Sequence, residues 1–164
     1  MKRILVILLC LLCFTGCNAT ETMETISDDL AVSADATAAE IAVSLTGEEA
    51  ALFCGEDGSK LYLCDGYCVM VQTLKGGDVA KSVQTVTGFP KKNLTVMQTE
   101  KDGIISYEYV WCTAGEGEDQ ICRGVLLDDG AYHYAVTVMA DYTQAGQLQS
   151  TWEEVLNSVE INTD

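Results

Sequence analysis

Apolar and polar residues alternate in distinct ways along this chain, and each stretch predicts a different structure. Residues 4–12 form an uninterrupted apolar run behind Lys2 and Arg3, and Thr15 and Gly16 then place small residues before Cys17. Residues 18–46 carry Ala, Thr, Ser, Glu and Asp, with no aromatic residue and no proline. The few Ile, Leu and Val side chains there cannot offset the entropy of ordering the segment. It reads as a flexible tether, with at most a transient helix over 38–45.

From about residue 50 the periodicity becomes strong. Leu52-Phe53-Cys54 and Leu61-Tyr62-Leu63 flank the turn sequence Gly55-Glu56-Asp57-Gly58-Ser59 and predict paired short strands. Asp65-Gly66 between 61–64 and 67–73 predicts a tight hairpin. Val79, Val83 and Val86 recur at helical spacing, with Asp78 as N-cap, Gly88 as stop and Pro90 beyond, so a helix is expected over 78–87. Strands are expected over 94–99, 104–113, 120–127 and 132–140, parted by turns at 101–103, 114–119 and 128–130. Such short connections make successive strands antiparallel neighbours. Leu148, Trp152, Val155, Leu156 and Val159 form one helical stripe, predicting a closing helix over 143–158. The expected fold class is α+β: an antiparallel β-sheet of about five to seven strands with two helices packed on one face.

That order of elements carries a resemblance. A hairpin, a helix ending Thr87-Gly88-Phe89, a four-strand meander that includes Tyr132-His133-Tyr134-Ala135-Val136-Thr137-Val138, and a closing helix ending Leu156-Asn157-Ser158-Val159 resemble the PsbP fold. The fold is named for a photosystem II oxygen-evolving subunit and recurs in small bacterial lipoproteins. The resemblance covers residues 52–161. It implies a PsbP-like domain and tilts the functional expectation toward binding or assembly; no functional residue is carried over from it.

The N-terminal pattern resembles the lipobox of bacterial lipoproteins of Gram-positive type, in which the cysteine after two small residues is acylated. Phe14 stands where Leu, Val or Ile is usual. The apolar run is far short of the roughly 20 residues that span a bilayer. Cys10 and Cys13 follow Leu9 and Leu12 rather than small residues, which leaves Cys17 as the lipid acceptor. The rival is an ordinary secretory cut near Thr15–Ala19. The expected organisation is a lipoprotein signal peptide over 1–16, a lipid-anchored acidic flexible tether over 17–48, and a PsbP-like domain over 49–164. It places the domain on the outer face of a bacterial cell membrane, where stable attachment takes two or more acyl chains.

Charge narrows the partners. The 164 residues carry 25 Asp and Glu against nine Lys and Arg, a formal charge of −16. Beyond Gly16 the balance is 25 acids against seven bases, or −18. Such a surface repels nucleic acid and anionic lipid headgroups, so attachment must be covalent. The expected partners are the membrane, through the lipid, and another envelope protein. No Gly-rich phosphate loop, nucleotide fingerprint or metalloprotease motif occurs, and no cofactor or metal is expected.

Of the eight cysteines, Cys54, Cys64, Cys68, Cys112 and Cys122 would face an oxidising compartment, where thiols usually pair. Cys112 and Cys122 lie symmetrically about the 115–119 turn, and antiparallel pairing would set them opposite each other and allow a disulfide. Cys54–Cys68 is a second expected pair if Cys54 opposes Leu61, with Cys54–Cys64 as its rival. Three cysteines beyond the first pair leave one free or joined to another molecule.

Catalytic chemistry has few footholds. Cys64-Asp65-Gly66-Tyr67-Cys68 is one residue longer than a thioredoxin-like motif and has no basic neighbour to stabilise a thiolate. His133 is the only histidine, and its usual role on a strand is a satisfied hydrogen bond. The carboxylates of 116–119 and 128–129 are solvated turns first and weak calcium ligands second. Tyr107, Tyr109 and Trp111 share one strand face and are expected in the core; an exposed binding platform is the alternative. The sequence thus predicts a membrane-anchored extracytoplasmic lipoprotein with a non-enzymatic binding or accessory domain. The alternative is an extracytoplasmic thiol-redox or hydrolytic enzyme built on Cys64/Cys68 or His133.

Overall fold

The computed structural model describes residues 37–45, 51–113 and 119–162. Strands β2 (Ala51–Cys54), β3 (Lys60–Leu63) and β4 (Cys68–Lys75) precede helix α1 (Val79–Thr87). Strands β5 (Val96–Lys101), β6 (Ile104–Thr113), β7 (Gln120–Asp128) and β8 (Tyr132–Asp141) form the meander, followed by helix α2 (Ala145–Asn157). All seven strands join one antiparallel sheet in the order β2-β3-β4-β8-β7-β6-β5. The α+β class and the antiparallel sheet are those expected.

Local chemistry explains the element ends. Asp78 accepts from Ala80 N–H at 2.8 Å and caps α1. At the other end Gly88 takes φ 76°, where a side chain would be strained, and its N–H closes the helix on Gln84. The Asp65-Gly66 hairpin pairs Cys64 with Tyr67 and Leu63 with Cys68, as the dipeptide predicts.

The helices do not share a face, contrary to expectation. Successive side chains of a strand leave opposite faces of the sheet. Val136, Val138 and Ala140 of β8 pack with Val69, Val71, Val125 and with Trp152, Val155 and Leu156 of α2. Tyr107, Tyr109 and Trp111 of β6 pack with Cys122, Leu126 and Val83 of α1. The sheet is therefore a middle layer, with α1 on one face and α2 on the other. The aromatic stripe is core, as expected, but it lies under α1 alone. Both faces carry apolar side chains that need a cover, and β7 and β8 contribute to both.

The predicted tether also ends too late. Residues Glu40–Ala42 form a strand, β1, which pairs antiparallel with β9 (Glu160–Asn162) instead of forming a transient helix. Ile41, Val43 and Leu45 pack on the α2-side core beside Tyr62, and Ser44 N–H donates to Ser158 Oγ at 2.9 Å. Residues 1–36 and 46–50, with Cys17 and the remainder of the tether, lie outside the described residues.

Candidate functional site

Helix α2 and the β1–β9 ribbon cover the β3-to-β7 part of their face, and β5 and β6 extend beyond them. Between the flank of α2 and those strands lies a groove of about 520 Å³. Thr95, Met97, Glu108, Val110, Ile121 and Arg123 form its sheet side. Ala145, Gly146, Gln149 and Trp152 form its helical wall. Met97 is 59% exposed and Val110 is 50% exposed, so the apolar floor faces solvent. Arg123 crosses the floor with Nη2 3.3 Å from Glu108 Oε2 and Nη1 3.6 Å from Glu153 Oε1. These three side chains are partly exposed, and together they leave one net negative charge. The buried indole Nε1 of Trp152 has no hydrogen-bond partner among the described residues. Volume and lining match small-molecule and peptide sites, which are apolar with a few placed polar groups.

The sequence did not single out this groove. Val110 and Met97 are apolar residues at alternate strand positions, and only the sheet order shows that no helix lies above them. Glu108 and Arg123 are brought together by the β6–β7 register, and Glu153 reaches Arg123 only through the placement of α2.

The structure keeps apart the cysteines that were expected to pair. In the β6–β7 ladder Cys122 faces Trp111 and Cys112 faces Ile121, one residue away from the expected register. Cys122 therefore lies buried under α1, while Cys112 is exposed on the α2 face. The cause is packing: this register seats Tyr107, Tyr109 and Trp111 against Leu126, Gly124 and Cys122. A one-residue slip would place Arg123 in that aromatic row. Gly124 is required there, because a β-carbon would come within 2.9 Å of the Tyr109 ring.

Cys54 likewise faces Lys60, not Leu61, because Gly55 N–H closes the turn on Ser59 O at 2.8 Å. It therefore shares a face with Lys60 and Val71, whereas Cys68 shares the other with Leu63. Cys54 and Cys64 are four residues apart along the ladder, roughly 13 Å, beyond the reach of a disulfide. All five described cysteines are unbridged. Burial raises the thiol pKa of Cys64 and Cys68, each in part also set by a neighbour, and pushes Cys122 up to about 11. Protonated thiols are poor nucleophiles, and Cys64 and Cys68 leave opposite faces of the hairpin.

His133 is drawn into a trio. Its Nδ1 lies 2.7 Å from Ser82 Oγ, and its Nε2 lies 3.5 Å from Asp128 Oδ1. Nε2 makes no hydrogen bond to the carboxylate at that distance, and the direction of the Nδ1–Ser82 bond follows the ring's tautomer. Hydroxyl, imidazole and carboxylate thus stand in hydrolytic order. The setting does not suit a substrate: His133 is fully buried, and Ser82 is buried on the sheet-facing side of α1. The trio ties α1 to the β7–β8 end of the sheet.

The acidic turn beside it is also occupied. Asp129 Oδ1 accepts from Ala131 and Tyr132 N–H at 2.8 and 2.6 Å, and Oδ2 accepts from Tyr134 OH at 2.7 Å. Burial disfavours the charge of Asp129, but those bonds outweigh it and hold its pKa below the ordinary value. Tyr134, desolvated and bonded to that carboxylate, is pushed up to about 12; it also accepts from Ala39 N–H at 3.0 Å. The carboxylates of 128–129 are thus turned onto their own backbone. Among the described residues no three metal-ligating side chains cluster; 116–118 lie outside them. No described helix is long and apolar enough to cross a membrane.

No protein-family model matches the chain, and no curated protein matches it. Solved structures do. The solution structure of cyanobacterial PsbP (CyanoP) from Synechocystis sp. PCC 6803 is similar over 79% of this chain and 96% of that one, with a TM-score of 0.54 and 9% identity. A crystal structure from Bacteroides thetaiotaomicron VPI-5482 is similar over 76% of this chain, with a TM-score of 0.52 and 11% identity. The match takes in 46% of that second chain, so this protein spans about half its length. At such identities the likeness concerns the fold alone: it is PsbP-like.

Proposed function

We propose that the protein is an extracytoplasmic lipoprotein, held by acyl chains on Cys17 at the outer face of a bacterial membrane. There it acts as a non-enzymatic binding or accessory domain for another envelope protein. The groove beside α2 is its contact surface. The observation that carries this reading is the exposed apolar floor of Met97 and Val110 beneath a helical wall. The residues of the enzymatic alternative are less accessible: His133 is sealed in the core, and Cys64 and Cys68 are held as thiols on opposite faces.

Two measurements test the parts separately. Cys17→Ser is expected to move the protein from the membrane fraction into the medium; an unchanged membrane fraction would remove the lipid anchor. A photocrosslinker at Val110 in intact cells is expected to capture a discrete partner that the same probe at exposed Gln84, on α1, does not. Equal capture from both positions would remove the groove as the contact surface.

A further inference from the structure

We infer that the groove receives a basic amphipathic helix of the partner, laid alongside α2 over β5 and β6. This inference rests on the binding role proposed above and specifies what is bound. Width is the first argument. Adjacent strands lie about 4.8 Å apart, so two uncovered strands offer roughly the 10 Å that one helix occupies. Helix α2 already fills the neighbouring strip, and its flank supplies the second wall such a helix would need.

The wall itself admits close approach. Ala145, Gln149 and Trp152 lie at i, i+4 and i+7 on α2, with Gly146 between them. A β-carbon at Gly146 would meet nothing within 4 Å, so the space beside it is open. On the floor, Met97 and Val110 offer an adaptable and a stiff apolar contact, the mixture that takes helix anchors at i, i+3, i+4 and i+7.

Charge selects the sign of the partner. Glu108 and Glu153 flank Arg123 and exceed it by one charge, within a chain of −16. An acidic helix would meet repulsion from both glutamates and from the whole domain. A basic one would be steered in and held at its polar margins.

The test titrates the full chain carrying Cys17→Ser, which keeps acyl chains and detergent out of the measurement. The probes are synthetic Leu/Lys peptides of about 18 residues, five helical turns. One has Leu at i, i+3, i+4 and i+7, one has the same composition scrambled, and one carries Glu in place of Lys. Tryptophan fluorescence and amide chemical shifts report binding. The amphipathic Leu/Lys peptide is expected to bind saturably, at least about tenfold more tightly than either control, and more weakly as salt rises. Val110→Asn and Met97→Gln keep the charge and are expected to weaken it about tenfold. Glu108→Gln with Glu153→Gln is expected to lower the affinity severalfold and flatten the salt dependence. Circular dichroism confirms that each variant is folded.

Equal binding of the amphipathic and scrambled peptides, or no loss in Val110→Asn, would reduce the effect to general charge attraction and overturn the inference. Preference for the Leu/Glu peptide would overturn it in favour of an acidic partner. Capture at Val110 in cells without any peptide preference would leave the binding role standing and remove the basic helix. A helix bound without Val110 capture would do the reverse.

Discussion

On one side of β6, Tyr107, Tyr109 and Trp111 are buried under α1; on the other, Val110 and Cys112 of the same strand stand in solvent. One segment of chain thus faces two environments, and the difference comes from what lies above it. Seven strands span roughly 30 Å, whereas one helix covers about 10 Å. Helix α1 is placed over the β6–β8 end, with Leu94, Val96 and Ile105 filling in beside it. Helix α2 is placed over β4, β8 and β7, and the β1–β9 ribbon closes the β3 side. The second arrangement leaves β5 and β6 uncovered. The sheet teaches that core and contact surface can be made from one alternating sequence, and that the offset between two helices decides which residue is which.

The comparison can be broken most strongly at its covered parts. Trp152→Ala on α2 and Tyr109→Ala under α1 should each cost about 3–5 kcal/mol in denaturant unfolding. A loss below 1 kcal/mol for either would mean that its face is not packed as described. Ser82→Ala comes next, at about 1–3 kcal/mol, because it leaves a ring nitrogen of fully buried His133 without its partner. A neutral outcome would demote the trio from a tie between α1 and the sheet.

Asp129→Asn should cost about 1 kcal/mol near neutral pH, since it weakens three bonds at the end of β8. The folded-state pKa of Asp129 is depressed, so its charged form stabilises the fold above its unfolded pKa. That contribution is lost as pH falls through the lower folded value. The gap between wild type and variant should therefore close in acid; a gap that widened there would contradict the assigned direction. Val110→Asn on the open strip should change stability least, within about 0.5 kcal/mol. A larger loss would show that the strip is core after all, and would sharpen the boundary between the two faces.

Much of the sheet was legible because its signals are local. Asp65-Gly66 announces a hairpin, Asp78 and Gly88 bracket α1, and the alternation through 104–113 spells out a strand without reference to anything distant. What failed was set at long range. The Cys112–Cys122 expectation assumed a symmetric loop, but the register obeyed the aromatic row and the need to keep Arg123 out of it. The single-face arrangement failed because Val136 and Ala135 are both apolar, so β8 has no polar side to mark its orientation. Residues 40–42 read as tether because their three-residue match lies near residue 160. The groove was invisible for the same reason: it is a place where a cover is missing, and no residue announces what is not above it.

The β1–β9 ribbon has a consequence in time. Glu40 pairs with Asn162, so the first described strand waits for the last one. During synthesis or export from the N-terminus, the β2–β3–β4 and β5–β6–β7–β8 ladders can form between near neighbours as they emerge, whereas β4 must wait for β8 to join the two. Strand β1 has no ladder to join until β9 has been made and α2 has folded back onto the sheet. Among the described ladders the ribbon joins the residues farthest apart in sequence, so its closure carries the largest loop cost.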